Sequence, residues 1–110
     1  MEAEAWRPRP EMDQAIRTWM KSQGLPVDAT RYYSDDEVYA WRHELPSGSP
    51  TLWISRPVLE EHDAAALVAG LERLGVAGRM RDAPKARFLV VDEDQQLRLT
   101  PWRHGPHLGQ

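Results

Sequence analysis

Apolar residues with helical spacing occur in a stretch near the amino terminus. Residues separated by three or four positions fall on the same side of an α-helix, so a stripe of this kind identifies the buried side. In this stretch the stripe consists of Met12, Ala15, Ile16, Trp19 and Met20. Pro10 fits a first helical turn, and Gly24 fits the left-handed position that follows a last turn. The pattern therefore predicts a helix over about residues 10–23.

A second helical stripe lies further along the chain. Its members are Ala64, Leu67, Val68, Leu71 and Leu74. Pro57 suits the first turn of this helix, and the acidic residues that follow it are favourable near a helix N-terminus. Gly75 is a stop signal, so one helix is predicted between these two residues. Residues 76–83 are compatible with a short helical turn or with a loop, and the sequence leaves this choice open.

Alternation of side chains predicts three strands between the two helices. They cover residues 30–33, 37–45 and 51–56, and residues typical of turns separate them. The predicted core face of the second strand consists of Tyr39, Trp41, His43 and Leu45, and Leu52 and Ile54 point inward from the third. The short connections favour an antiparallel meander.

Two more strands are predicted in the last third of the chain. Residues 87–91 are mostly apolar without alternation, which is typical of a strand that is covered on both faces and lies near the centre of a sheet. Residues 97–100 alternate between apolar and polar. The element order is α-β-β-β-α-β-β. It predicts an α+β fold in which a mainly antiparallel five-stranded sheet carries two helices on one face.

The chain length sets the domain organisation. The length of 110 residues fits one domain. Residues 1–9 are predicted to be an extended lead-in, residues 10–102 a single α+β domain, and residues 103–110 a flexible tail. The first residues are acidic, and no apolar run approaches about 18 residues. These features predict a cytoplasmic protein without a membrane partner.

No constellation of residues predicts catalysis or a bound cofactor. The chain has no cysteine, which excludes disulfides, thiolate chemistry and cysteine-based metal sites. His62 has no second histidine one helical turn away, and His43 is expected to lie half buried in the sheet. Acidic pairs occur in turns and in a first helical turn, where carboxylates stabilise local structure. We therefore expect no enzymatic activity, no metal and no cofactor.

The strand pattern predicts an apolar outer face on the sheet. If both neighbours of Trp53 face the helices, then Trp53 lies on the opposite side of the sheet, which we call the outer face. The residues predicted to form an interaction surface there are Trp53, Arg42, Leu89, Val91 and Arg98. A second copy, a protein partner or the chain's own Trp6 and Trp102 can cover such a surface. We favour a non-catalytic interaction module that self-associates as a homo-oligomer through the outer face.

A basic segment supports an alternative function. Residues 73–87 contain one acid and five cations, namely Arg73, Arg79, Arg81, Lys85 and Arg87. Part of this charge complements the C-terminal end of a helix dipole, and the rest can face solvent. The alternative hypothesis is that the segment binds nucleic acid through phosphate contacts. The net charge of -3 gives this hypothesis no general electrostatic attraction.

The element order of residues 10–74 also resembles that of double-stranded-RNA-binding domains. That module reads RNA by shape and by phosphate contacts. The resemblance implies basic side chains at the start of the second helix, where this chain has Glu60, Glu61 and Asp63. These carboxylates repel phosphates, so the shared order predicts no RNA binding through this helix.

Overall fold

A computed structural model describes residues 6–102 and confirms the α+β fold class. The first five residues of the predicted lead-in and the predicted tail, residues 103–110, lie outside the described range. The helices are α1 (Pro10–Ser22), α2 (Arg56–Glu61), α3 (Ala64–Arg73) and α4 (Val76–Asp82). The strands are β1 (Ala29–Tyr33), β2 (Val38–Arg42), β3 (Thr51–Ser55), β4 (Phe88–Glu93) and β5 (Gln96–Pro101).

The five strands form one sheet in the order β1-β2-β3-β4-β5. The first three strands are the predicted antiparallel meander, and β4 and β5 form a second antiparallel pair. β3 and β4 run parallel, with Trp53 opposite Leu89 and Ile54 opposite Val90. A parallel pair needs a long crossover connection, and α2, α3 and α4 supply it. The predicted central strand, β4, is therefore next to the edge strand, and β3 is the central one.

The second predicted helix is two helices in the structure, which corrects the sequence prediction. α2 ends at Glu61, and α3 begins at Ala64 after the extended residue Asp63. The Asp63 carboxylate accepts a hydrogen bond from the Ala66 N–H at 2.7 Å, so it caps α3. Residues 76–82, which the sequence left open, form α4 after Gly75 adopts a left-handed conformation with φ of 67°.

All four helices pack on one side of the sheet, which we call the inner face. The stripe predicted on α1 is buried there, with Ile16 and Met20 fully inaccessible. Trp41 is fully buried between α1 and the sheet, and its indole N–H donates to the Asp13 carboxylate at 2.9 Å. Tyr39, Leu52 and Ile54 join the same core, together with Leu67 and Leu71 of α3. Leu45, predicted on the core face of the second strand, is 42% exposed because β2 already ends at Arg42. The prediction of helices on one face agrees with this packing.

Candidate interaction surface

The outer face is formed by alternate residues of the five strands. The register places these side chains there: Ala29, Arg31, Tyr33, Val38, Ala40, Arg42, Thr51, Trp53, Ser55, Leu89, Val91, Glu93, Gln96, Arg98 and Thr100. No helix within residues 6–102 contributes to the core cluster on this side. Apolar and aromatic side chains occupy its centre, whereas the open side of an antiparallel sheet is usually polar.

A small aromatic cluster covers the middle of the outer face. The rings of Trp53 and Trp102 meet edge to face with centroids 4.5 Å apart, and the Tyr33 ring lies 5.4 Å from Trp53. Trp102 follows β5 and is held there by a hydrogen bond from its backbone N–H to the Arg87 carbonyl at 3.1 Å. Only 7% of Trp53 remains exposed. The chain's own Trp102 therefore covers part of the predicted apolar centre.

The predicted interaction residues lie together but differ in exposure. Trp53, Leu89 and Val91 form one patch, in which Trp53 is buried and the other two are half buried. Arg42 and Arg98 are exposed on either side of this patch. Of the two tryptophans considered as covers, Trp102 lies on the outer face. Trp6 packs instead against Tyr32 and Tyr39 at the inner face.

Arginine side chains surround the aromatic cluster. The Arg31 guanidinium lies 4.7 Å from the centroid of the Tyr33 ring, and that of Arg87 lies 5.6 Å from a Trp53 ring centroid. Arg42 forms an ion pair with Glu44 at 2.7 Å, and Arg98 forms one with Glu93 at 3.3 Å. Cations above aromatic rings are attracted by the negative ring faces. The face therefore combines apolar area with positive charge.

A depression of about 140 Å³ lies on the outer face beside Trp53. The short side chain of Ala40, in the middle of β2, leaves this space, and the longer side chains of Arg31, Arg42 and Tyr33 surround it. The Trp53 indole N–H is buried and finds no acceptor among residues 6–102. A buried donor without an acceptor is unfavourable, and such groups are rare in folded proteins. The side chains that line the depression thus include two guanidinium groups, those of Arg31 and Arg42.

Arg31 and Tyr33 belong to this surface, although sequence analysis did not assign them to it, and Trp102, which it considered as a cover, is part of the aromatic cluster. The missing information was the register of the first hairpin, which sets Arg31 opposite Ala40 and Tyr33 opposite Val38. Once the outer-face residues of β2 are known, this register and the alternation along β1 place Arg31 and Tyr33 on the outer face as well. Trp102 lies two residues beyond Thr100 and so keeps the same alternation. This signal was present in the sequence.

The basic segment does not form one patch. Arg73 and Arg79 line a groove beside β5 that Arg98 also borders. Arg81 donates to the Gln23 carbonyl at the end of α1, at a distance of 2.9 Å. Arg87 belongs to the outer face, and the Lys85 side chain lies next to Gly48. Nucleic-acid binding by this segment stays a prediction, and the dispersion of its cations over several surfaces lends it little support.

Each described histidine has a carboxylate partner. His43 Nδ1 lies 2.9 Å from the Asp28 carboxylate, and His62 Nε2 lies 3.0 Å from that of Asp92. The pKa of Asp28 is lowered below its ordinary value, mainly by the hydrogen bond from the Glu44 backbone N–H and to a smaller extent by the hydrogen bond with His43. Within residues 6–102, no three His, Cys, Asp or Glu side chains are arranged to hold a metal ion.

Comparisons with known proteins give no relative for this chain. No family profile, curated protein or solved structure matches it significantly. Across residues 6–102, the helices are too short or too polar for any of them to span a membrane. The functional argument therefore depends on the geometry of the surfaces described above.

Proposed function

We propose that this protein is a non-catalytic interaction module that forms a homodimer through the outer face of its sheet. The observation that carries the proposal is the contrast between the two faces. Within residues 6–102, four helices cover the inner face, and none of them covers Leu89, Val91 and the aromatic cluster on the outer face. Half-exposed apolar surface on one side of a sheet is typical of surfaces that another protein covers.

A second copy is the occupant that the charges of this face favour. Arg31 and Arg42 are exposed toward one end of the outer face, and Glu93 is exposed toward the other. An isologous dimer brings one patch against the same patch of its partner, so a face that carries both signs of charge can complement itself. The apolar centre then supplies buried area, and the rim supplies polar contacts.

The test uses a substitution on the open part of the patch. Val91 is half exposed and lies outside both core clusters. We expect Val91→Glu to convert the dimer into a folded monomer, because each interface would then bury two new carboxylates. Sedimentation equilibrium of untagged protein over a concentration series measures the change, and circular dichroism verifies the fold.

The control places the same charge elsewhere. Leu45 is 42% exposed in the connection between β2 and β3, and it is the most exposed large apolar side chain within residues 6–102. Leu45→Glu should leave the dimer intact. Wild-type protein that stays monomeric at every concentration rejects the proposed function, and so does an unchanged dimer in Val91→Glu.

A further inference from the structure

The two ends of the sheet differ in charge. β3 and β4 run parallel, so their C-termini lie at the same end of the sheet, together with the β1–β2 turn and the β4–β5 turn. We call this end of the strands the acidic end. The exposed acidic residues there are Asp35, Asp36 and Glu37 in the β1–β2 turn, Asp94 in the β4–β5 turn, and Glu93 at the end of β4, which forms an ion pair with Arg98. The opposite end of the outer face carries Arg87 and Arg42, the latter paired with Glu44, and Arg31 lies one residue pair further in.

Several charged residues on or beside the outer face form no ion pair within residues 6–102. Asp35, Asp36 and Glu37 form no ion pair with any residue in the described range. Arg31 contacts the Tyr33 ring but no carboxylate within residues 6–102. Arg31 at the depression and the acidic residues of the β1–β2 turn are therefore charges of opposite sign that no ion pair within residues 6–102 neutralises.

We infer that, in the proposed dimer, the outer faces pack with their strands antiparallel, so that the acidic β1–β2 turn of one copy lies over the arginine-lined depression of the other. This orientation deepens the proposed function and depends on it. A twofold axis across the strands brings the acidic end of each copy to the arginine end of its partner. Every contact then forms twice.

The opposite orientation is electrostatically unfavourable. A twofold axis along the strands would bring the two acidic ends together, with like charges facing each other across the interface. The antiparallel orientation instead places the carboxylates of the β1–β2 turn near Arg31, which forms no ion pair within residues 6–102.

Charge reversal tests the orientation. Arg31→Glu and Asp36→Arg each place like charges together at both copies of the contact. We expect each substitution alone to raise the dimer Kd by at least about tenfold, because charge repulsion replaces attraction twice. The double variant restores both contacts with exchanged signs, so its Kd should return close to that of the wild type. Arg73→Glu, on an exposed arginine of α3, is the matched control and should have no effect.

The outcomes separate the orientation from the proposed function. A wild-type dimer that all four variants leave unchanged overturns the antiparallel orientation and leaves self-association standing. Weakening by both single variants without recovery in the double variant also overturns the direct contact. Wild-type protein that is monomeric throughout overturns both proposals.

Cysteine chemistry gives a second readout, because the natural chain has no cysteine. Arg42→Cys and Asp36→Cys are prepared as separate variants and mixed in the presence of a short bis-maleimide. The antiparallel orientation predicts covalent dimers in the mixture and few in either variant alone. Cross-linking within each variant alone, with none added by mixing, contradicts it.

Discussion

The inner and outer faces of the sheet each hold a tryptophan-centred cluster, but different parts of the chain bury the two clusters. Trp41 on the inner face is covered by helices and is completely inaccessible. Trp53 on the outer face is covered by Tyr33, Trp102 and the Arg87 side chain, and 7% of it stays exposed. The Trp41 indole N–H has an acceptor in Asp13, whereas that of Trp53 has none among residues 6–102. Burial by whole elements thus creates a deep core, while burial by single side chains leaves a shallow one.

The largest expected effect comes from truncating the inner tryptophan. Trp41→Ala should lower the free energy of unfolding by about 3–5 kcal/mol, because it leaves a large cavity between α1 and the sheet. Trp53→Ala should cost clearly less, since its neighbours can collapse toward the open side of the cluster. Urea unfolding of the two variants measures the difference. Equal losses would show that the two clusters are equally deep.

A milder substitution isolates the indole N–H. Trp41→Phe removes the hydrogen bond to Asp13, while Trp53→Phe removes a donor that has no acceptor. We expect the loss of unfolding free energy to be about 1.5 kcal/mol larger at Trp41, the order of a hydrogen bond to a charged group. Urea unfolding of the two matched variants provides the measurement. A larger loss at Trp53 would contradict the description of its N–H as unsatisfied.

The smallest effect concerns the polar rim of the inner face. The N–H of Glu44 and the ring of His43 hold the pKa of Asp28 below its ordinary value of 3.8. A carboxylate with a lowered pKa adds stability at neutral pH, and this contribution is lost as the pH falls through the folded-state pKa. Asp28→Asn should therefore be less stable than the wild type near neutral pH, and the difference should shrink below pH 3.8. Thermal unfolding across that range tests the expectation.

The sequence predicted which face each central residue occupies, because alternation along a strand depends only on the residues of that strand. Trp41, Leu52 and Ile54 face the helices, and Trp53 faces away, as the pattern indicated. The burial of Trp53 could not be predicted in the same way. It depends on Trp102 lying across the sheet from a distant part of the chain.

The sequence prediction missed the break between α2 and α3 because two local features of the sequence favour different structures there. Helical spacing supports one continuous helix through His62 and Asp63, whereas aspartate is also a favoured N-cap. The tertiary contact between His62 and Asp92 lies across this break. A pattern within one segment cannot reveal a contact of that kind. Alternation within strands therefore indicated Trp53 and Leu89 on the candidate surface, whereas the place of Tyr33 depends on the register of β1 and that of Trp102 on the course of the chain after β5.

The single parallel pairing has a consequence for how the chain folds. Both antiparallel parts of the sheet join strands that are close in sequence, so their loops close at low entropic cost. β3 and β4 are separated by all of residues 56–87 and share only two paired positions, Trp53 with Leu89 and Ile54 with Val90. Closing this long crossover is the entropically expensive step. We therefore expect the meander and the terminal hairpin to form early, and their docking through β3 and β4 to set the refolding rate.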